Sequence, residues 1–146
     1  MLAACCAPYH GGLEAPDAET LMRSRFTAFA VRDWAYLWRT LHPDHVDRRG
    51  EFAKWSRGAA AGAQGASFRS LQILDVAPAD GEGLAHVLFM AEVFVGSQDV
   101  SFLEHSRFAR DGAGWRYLDG RTLERGRMNG PLEFMTFARF EGLYGS

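Results

Sequence analysis

The period of the apolar residues changes at Ser67, and that change restricts the fold more than any other feature of the chain. Before it, Met22, Phe26, Phe29 and Ala30 fall at i, i+4, i+7 and i+8, one apolar stripe of a helix. After it, SFRSLQILDVA, LAHVLFMAEVFV, VSFLEHSRFAR and WRYLD are β-rich runs joined by PADGEG, GSQD and DGAG. Short connections with Gly and Asp between long strands predict an antiparallel meander. The first three runs exceed the usual strand length, which predicts a strongly bent sheet. Helices followed by a curved antiparallel sheet make an α+β fold, with the concave face wrapping the first helix around a cone-shaped interior.

The helical half is punctuated by local signals. Residues 7–16 are rich in Gly and Pro and read as an irregular lead-in. Asp17 fits an N-cap, with Glu19 well placed against the helix dipole, and this first helix runs to about Val31. Asp33 caps a second helix carrying Trp34, Leu37, Trp38 and Leu41, which ends before Pro43. A third covers Asp47 to about Arg57 and buries Phe52 and Trp55, and GAAAGAQGA after it reads as a loop or frayed helix end. The resulting plan is a lead-in over 1–16, one α+β domain over 17–120 and a tail over 121–146. The tail is rich in phenylalanine (Phe134, Phe137, Phe140) and suits a helix or a cover for a sheet edge.

With 146 residues, 47% of them hydrophobic, the chain is long enough for one domain with a sizeable core. A net charge of -2 gives no reason to expect nucleic acid or a membrane surface as partner. No run approaches the roughly 20 apolar residues of a membrane span, and no secretory signal is evident, so the expected location is cytoplasmic. The two cysteines, Cys5 and Cys6, are adjacent and unsuited to a structural disulfide. With His10 they supply three metal ligands at most, short of a closed zinc site, so they are weak metal candidates and no cofactor is expected.

The chemistry concentrates on the first helix and the last two strands. Arg23 and Arg25 project about 160° apart and bracket the apolar stripe. Phe102, Glu104, Ser106 and Phe108 share one strand face, while Leu103, His105, Arg107 and Ala109 share the other. A carboxylate between two phenylalanines needs a cation, so Glu104 is expected to pair with Arg23 or Arg25 near Tyr117. Trp115, Tyr117 and Asp119 form a similar apolar-to-polar series on the next strand. His42, at the end of the second helix, is placed at the mouth of the cone. His45 and His86 lack partners at metal-ligand spacing and read as surface or satisfied core groups.

The segments CCAPYH, APDAETLMRSRFTAF, RTLHP and FLEHSRFARDGAGWRYLDG resemble the YchJ-like bacterial proteins over roughly residues 5–120. Members of that family read MRSRYxAF, TWHP, ERSRF and WYYxDG. Here Phe26 stands for Tyr, Leu41 for Trp and His105 for Arg, and Trp115–Gly120 match the last motif. The resemblance implies a nuclear transport factor 2-like (NTF2-like) central domain, a cone of helices in a curved sheet. It also implies SEC-C zinc motifs at the ends, but Cys5 and Cys6 match only the final pair of one. GRMNGPLEFMTFARFEGLYGS stands where a second would lie, so zinc is not expected.

Two functional classes follow, and the candidate pocket residues are Arg23, Arg25, His42, Glu104, Arg107, Tyr117 and Asp119. The favoured one is a module binding a small, anionic molecule in the cone through Arg23 or Arg25, His42 and Tyr117. The alternative is an isomerase or hydratase in which Asp119 or Glu104 is the general base and Tyr117 or His42 donates to an oxyanion. A third reading has no ligand and uses the exposed sheet face as a homodimer interface.

Overall fold

The computed structural model describes residues 7–112, 114–128 and 130–145. Helix α1 (Ala7–His10) leads into α2 (Ala18–Val31), α3 (Trp34–Arg39), a 3₁₀ turn at Val46–Arg49 and α4 (Phe52–Gly62). Strands β1 (Ala66–Ala77), β2 (Ala85–Val95), β4 (Phe102–Asp111) and β5 (Gly114–Glu124) form an antiparallel sheet in the order β1-β2-β4-β5. The short β3 (Gln98–Asp99) folds back on β2. The tail ends in α5 (Phe137–Tyr144).

Both long caps form as local chemistry dictates. The Asp17 carboxylate accepts from Thr20 N–H at 2.8 Å, and that of Asp33 accepts from Tyr36 N–H at 3.1 Å. Between them Arg32 turns the chain at φ 64°. Its guanidinium donates to the Phe29 and Ala66 carbonyls at 2.9 and 2.7 Å, which ties the end of α2 to the start of β1.

Helix α1 forms where an irregular lead-in was expected, and two further boundaries differ from the sequence expectation. Helix α3 stops at Arg39 because Thr40 to His42 pair with β5: Tyr117 N–H donates to the Thr40 carbonyl and His42 N–H to the Tyr117 carbonyl, both at 2.8 Å. Helix α4 starts later than predicted and runs through the Gly/Ala stretch to Gly62. None of its residues is buried, and Phe52, expected inside, is 40% exposed.

The sheet bends at irregularities between Phe68 and Ser70, between Ile73 and Asp75, and between Arg107 and Phe108. Its concave face packs Val87, Phe89, Ala91, Val93 and Phe108 against Leu21 and Met22 of α2. Its outer face packs Leu88, Met90, Leu103 and Leu123 against Met135 and Phe140 of the tail. Strand β2 is thus covered on both sides, which is why it reads as a nearly continuous apolar run. The tail covers a sheet face, not an edge. No helix among the described residues is long and apolar enough to cross a membrane.

Candidate functional site

The buried residues of α2 are Ala18, Leu21, Met22, Ser24, Arg25 and Ala28, so its inward stripe is rotated from the one predicted. That rotation sets the fate of both arginines. Arg25 lies near the centre of the buried face, only 4% exposed, whereas Arg23 points outward and pairs with Glu19 at 2.9 Å. Phe26 and Phe29, expected to be buried, are partly exposed and line a cavity.

That cavity occupies about 310 Å³ inside the cone. Helix α2 contributes Met22, Arg25, Phe26 and Phe29; the sheet contributes Phe68, Phe89, Ala91, Phe102, Glu104 and Tyr117. Leu41, His45, Asp47 and Trp55 close the remaining wall. Apolar walls with a few convergent polar groups are the usual composition of a small-molecule site.

The polar groups lie at one end. Nη1 of Arg25 donates to the Leu37 carbonyl at 2.9 Å and to Thr40 Oγ1 at 2.6 Å. The guanidinium carbon stands 4.7 Å from the centre of the Tyr117 ring, a cation–π arrangement. Burial lowers the pKa of Arg25, opposed by Tyr117 and Glu104, and arginine still keeps its charge. Among the described residues its Nε and Nη2 make no hydrogen bond. No buried side-chain nitrogen or oxygen among the described residues lacks a partner, so these two donors keep some accessible surface, and Arg25 is one of the residues lining the cavity.

Glu104 faces the cone but forms no direct ion pair with either arginine, contrary to the expectation. Its carboxylate accepts from Tyr117 O–H at 2.6 Å and from Ser106 O–H at 2.5 Å. The Tyr117 ring lies between cation and anion, touching one with its face and the other with its hydroxyl. Gly120 makes this seat available, because a β-carbon there would collide with the Glu104 carboxylate and the Tyr117 hydroxyl. Burial pushes the Glu104 carboxyl above the ordinary value, outweighing the hydrogen bonds from Ser106 and Tyr117 and the charge of Arg25. The Tyr117 hydroxyl is likewise raised, by burial first and the Glu104 charge second, so it stays a donor.

The histidine roles are exchanged relative to the prediction. His42 accepts from Asp44 N–H at 3.1 Å and meets the Arg110 carbonyl at 3.3 Å, away from the cavity lining. His45 lines the cavity, 5.6 Å from the Tyr117 ring, with Nδ1 accepting from Asp47 N–H at 2.9 Å. Burial lowers its pKa, against the raising effect of Asp47, and because Nδ1 accepts, the neutral form of the ring carries its proton on Nε2.

Asp119 and Arg107 leave the cone altogether. Between Asp119 and Tyr117 the ladder slips, so Leu118 has no counterpart on β4 and the side chains beyond it change face. Asp119 therefore pairs with Arg107 on the outer face, at 2.8 and 2.5 Å, and that hydrogen bond holds its carboxyl below the ordinary value. Of the predicted residues, the fold gathers Arg25, Glu104 and Tyr117. His45, Ser106 and Gly120 join them; only the shared face of Glu104 and Ser106 was visible in the sequence.

A second concavity of about 440 Å³ lies on the outer face, lined by His86, His105, Arg107, Asp119, Gly120, Arg121 and Glu141. His86, read as an isolated histidine, meets Asp80 at 3.0 Å and His105 at 2.9 Å. His105 in turn meets Glu141 of α5 at 2.6 Å, and Glu141 accepts from Arg121 at 2.5 Å. Its charged groups satisfy one another, so the smaller cone is the better candidate. Among the described residues no group of three or more His, Cys, Asp or Glu is placed to hold a metal ion. Cys5 and Cys6 lie outside the described residues.

The model of the YchJ middle NTF2-like domain matches residues 17–120. A UPF0225 protein of Xanthomonas oryzae pv. oryzae is 42% identical over 120 residues, covering 82% of this chain and 86% of its own. The UPF0225 protein YchJ of Shigella dysenteriae is 34% identical over 131 residues, covering 84% and 78%. The solution structure of a SEC-C motif containing protein from Rhodopseudomonas palustris is 25% identical, with a TM-score of 0.71, covering 85% of this chain and 93% of that one.

Proposed function

This chain belongs to the YchJ-like (UPF0225) family, and from that premise we propose that its NTF2-like cone is a binding chamber for one small anionic molecule. The apolar body of the ligand fills the aromatic walls and its charged end meets Arg25. The observation that carries the reading is the buried, cavity-lining guanidinium, which spends only Nη1 on hydrogen bonds to the fold and leaves Nε and Nη2 without one. Two donors outside the fold's hydrogen bonds, on a cation that lines the cavity, offer an anionic ligand a charge-assisted partner. Cys5 and Cys6 are read as the remainder of a SEC-C motif, with no metal in the site.

One feature favours acid–base catalysis as a second reading: the raised Glu104 carboxyl inside a cavity. Its surroundings argue for binding instead. Glu104 is held by Ser106 and Tyr117, and the Tyr117 proton is directed at Glu104 rather than at an oxyanion position. Native mass spectrometry on gently purified protein tests the binding reading. The expected result is a mass increment that disappears on denaturation and is lost in Arg25→Met. Bare chain in every preparation, or an increment unchanged in a folded Arg25→Met variant, contradicts it.

A further inference from the structure

The edge of Arg25 that remains open specifies the ligand more closely, on the premise that the cone is the binding chamber. Nε–H and Nη2–H point in parallel, in the guanidinium plane, along one edge of the group, a spacing that matches the two oxygens of a carboxylate. This chain uses the same edge twice elsewhere. Arg107 sets Nε and Nη2 against the two oxygens of Asp119 at 2.8 and 2.5 Å, and Arg23 sets them both on one oxygen, Oε2, of Glu19 at 3.2 and 2.9 Å. Arg25, the buried one of these three, lines a cavity and carries no carboxylate on this edge.

Glu104 does not fill that place: its carboxylate is seated over Gly120, held by Ser106 and the Tyr117 hydroxyl, and makes no hydrogen bond to Arg25. The cavity's charge and walls limit what else fits. A phosphate carries more charge and more oxygens than one arginine edge and the neutral His45 can satisfy. A flat apolar body suits the rings of Phe26, Phe29 and Phe68, whose centres lie 6.0 and 5.5 Å apart across Phe68. The volume of about 310 Å³ is at the small end for such sites.

We infer that the cone takes a monocarboxylate with a flat apolar body, its two oxygens set along Nε and Nη2 of Arg25 and its body against the cluster of Phe26, Phe29 and Phe68. A second carboxylate in this enclosure disfavours charge on Glu104 further, beyond what burial already does. Ligand binding therefore draws a proton onto Glu104 wherever that group is ionised in the free protein, and affinity rises as the pH falls.

The test uses 3-phenylpropionate as probe, with its neutral amide, the matching amine, phenyl phosphate and acetate as controls. Titrations are followed by two-dimensional NMR at about pH 6 and about pH 8, with the Trp55 indole N–H reporting on the cone. The carboxylate is expected to bind at least about tenfold more tightly than each control and more tightly at the lower pH. Glu104→Gln, which keeps an acceptor for Ser106 and Tyr117, is expected to retain the carboxylate preference and lose the pH dependence. Equal binding of the amide overturns the carboxylate assignment and leaves the cone as an apolar chamber. Preference for the amine overturns it in favour of an ionised Glu104 as the recognition group. No response at Trp55 to any of the five probes overturns the assignment as well. If native mass spectrometry also finds only bare chain, the chamber reading fails with it.

Discussion

Replacing Gly120 with alanine isolates the Glu104 seat. Gly120 stands opposite Ser106 in the β4–β5 ladder, and its missing side chain is the space occupied by the Glu104 carboxylate. The colliding atoms are the ends of side chains, so the sheet itself need not move and the carboxylate is displaced instead. Displacement disturbs the bonds from Ser106 and Tyr117, each contributing about 1.5–3 kcal/mol when the acceptor is charged. Alanine regains about 0.5–1 kcal/mol over glycine within a strand. With both bonds weakened, Gly120→Ala should destabilise the protein by about 2–4 kcal/mol. In a Glu104→Ala background the obstruction is gone, Tyr117 has room to retreat, and the same change should be neutral or stabilising. Urea denaturation of the four proteins closes the double-mutant cycle. Equal effects of Gly120→Ala in the two backgrounds, within about 0.5 kcal/mol, would refute a carboxylate seated over Gly120.

Phe140, fully buried between α5 and the sheet, should lose about 3–5 kcal/mol on truncation to alanine, whereas Phe26→Ala, which enlarges an existing cavity, should lose distinctly less in the same denaturation assay. Acid titration of the melting temperature should show stability falling below the ordinary carboxylate range. Asp80 is held down at about 2 by its hydrogen bond to His86, and Asp119 is held down by Arg107. Burial raises Glu141, but the His105 bond and Arg121 outweigh it and leave it lowered as well. Lowered folded-state values mean that this stabilisation is present above the unfolded values and disappears as the carboxylates protonate. Glu104 has the opposite sign: its contribution is complete below 4.5 and is lost as the pH rises through its raised folded value. The decline at higher pH should therefore vanish in Glu104→Gln. Metal analysis after dialysis should find well under one zinc per chain, because the His10 ring is already engaged with the Ser24 carbonyl at 2.9 Å; near-stoichiometric zinc contradicts this.

The parts of the fold that were legible in the sequence rest on local rules. Asp17 and Asp33 cap helices through their own side chains, and the Gly/Asp turns separate strands at the length a meander needs. The site was less legible because three nonlocal events decide it. Arg25 is buried, and Arg23 is not, because the C-terminal end of α3 supplies the Leu37 carbonyl and Thr40 hydroxyl that receive a guanidinium. The unpaired Leu118 moves Asp119 to the outer face, and alternation along a strand cannot reveal such a slip. The bridge from Leu41 to Tyr117 fixes how the chain leaves α3, which takes His42 off the cavity and brings His45 onto it. The pairing of Glu104 with a tyrosine instead of an arginine follows from the same arrangement. Gly120 carried a readable signal, a glycine closing WRYLDG, but its meaning depends on a side chain from the neighbouring strand.

In the proposed function the cone holds a small anion at the open edge of Arg25. A crystal structure of the protein grown with saturating 3-phenylpropionate tests it most directly. Density for the carboxylate is expected at hydrogen-bond distance, about 2.7–2.9 Å, from both Nε and Nη2, with the ring against Phe26, Phe29 and Phe68. A cone closed by side-chain repacking, or a probe seated in the outer cleft beside His86 and His105, would contradict it.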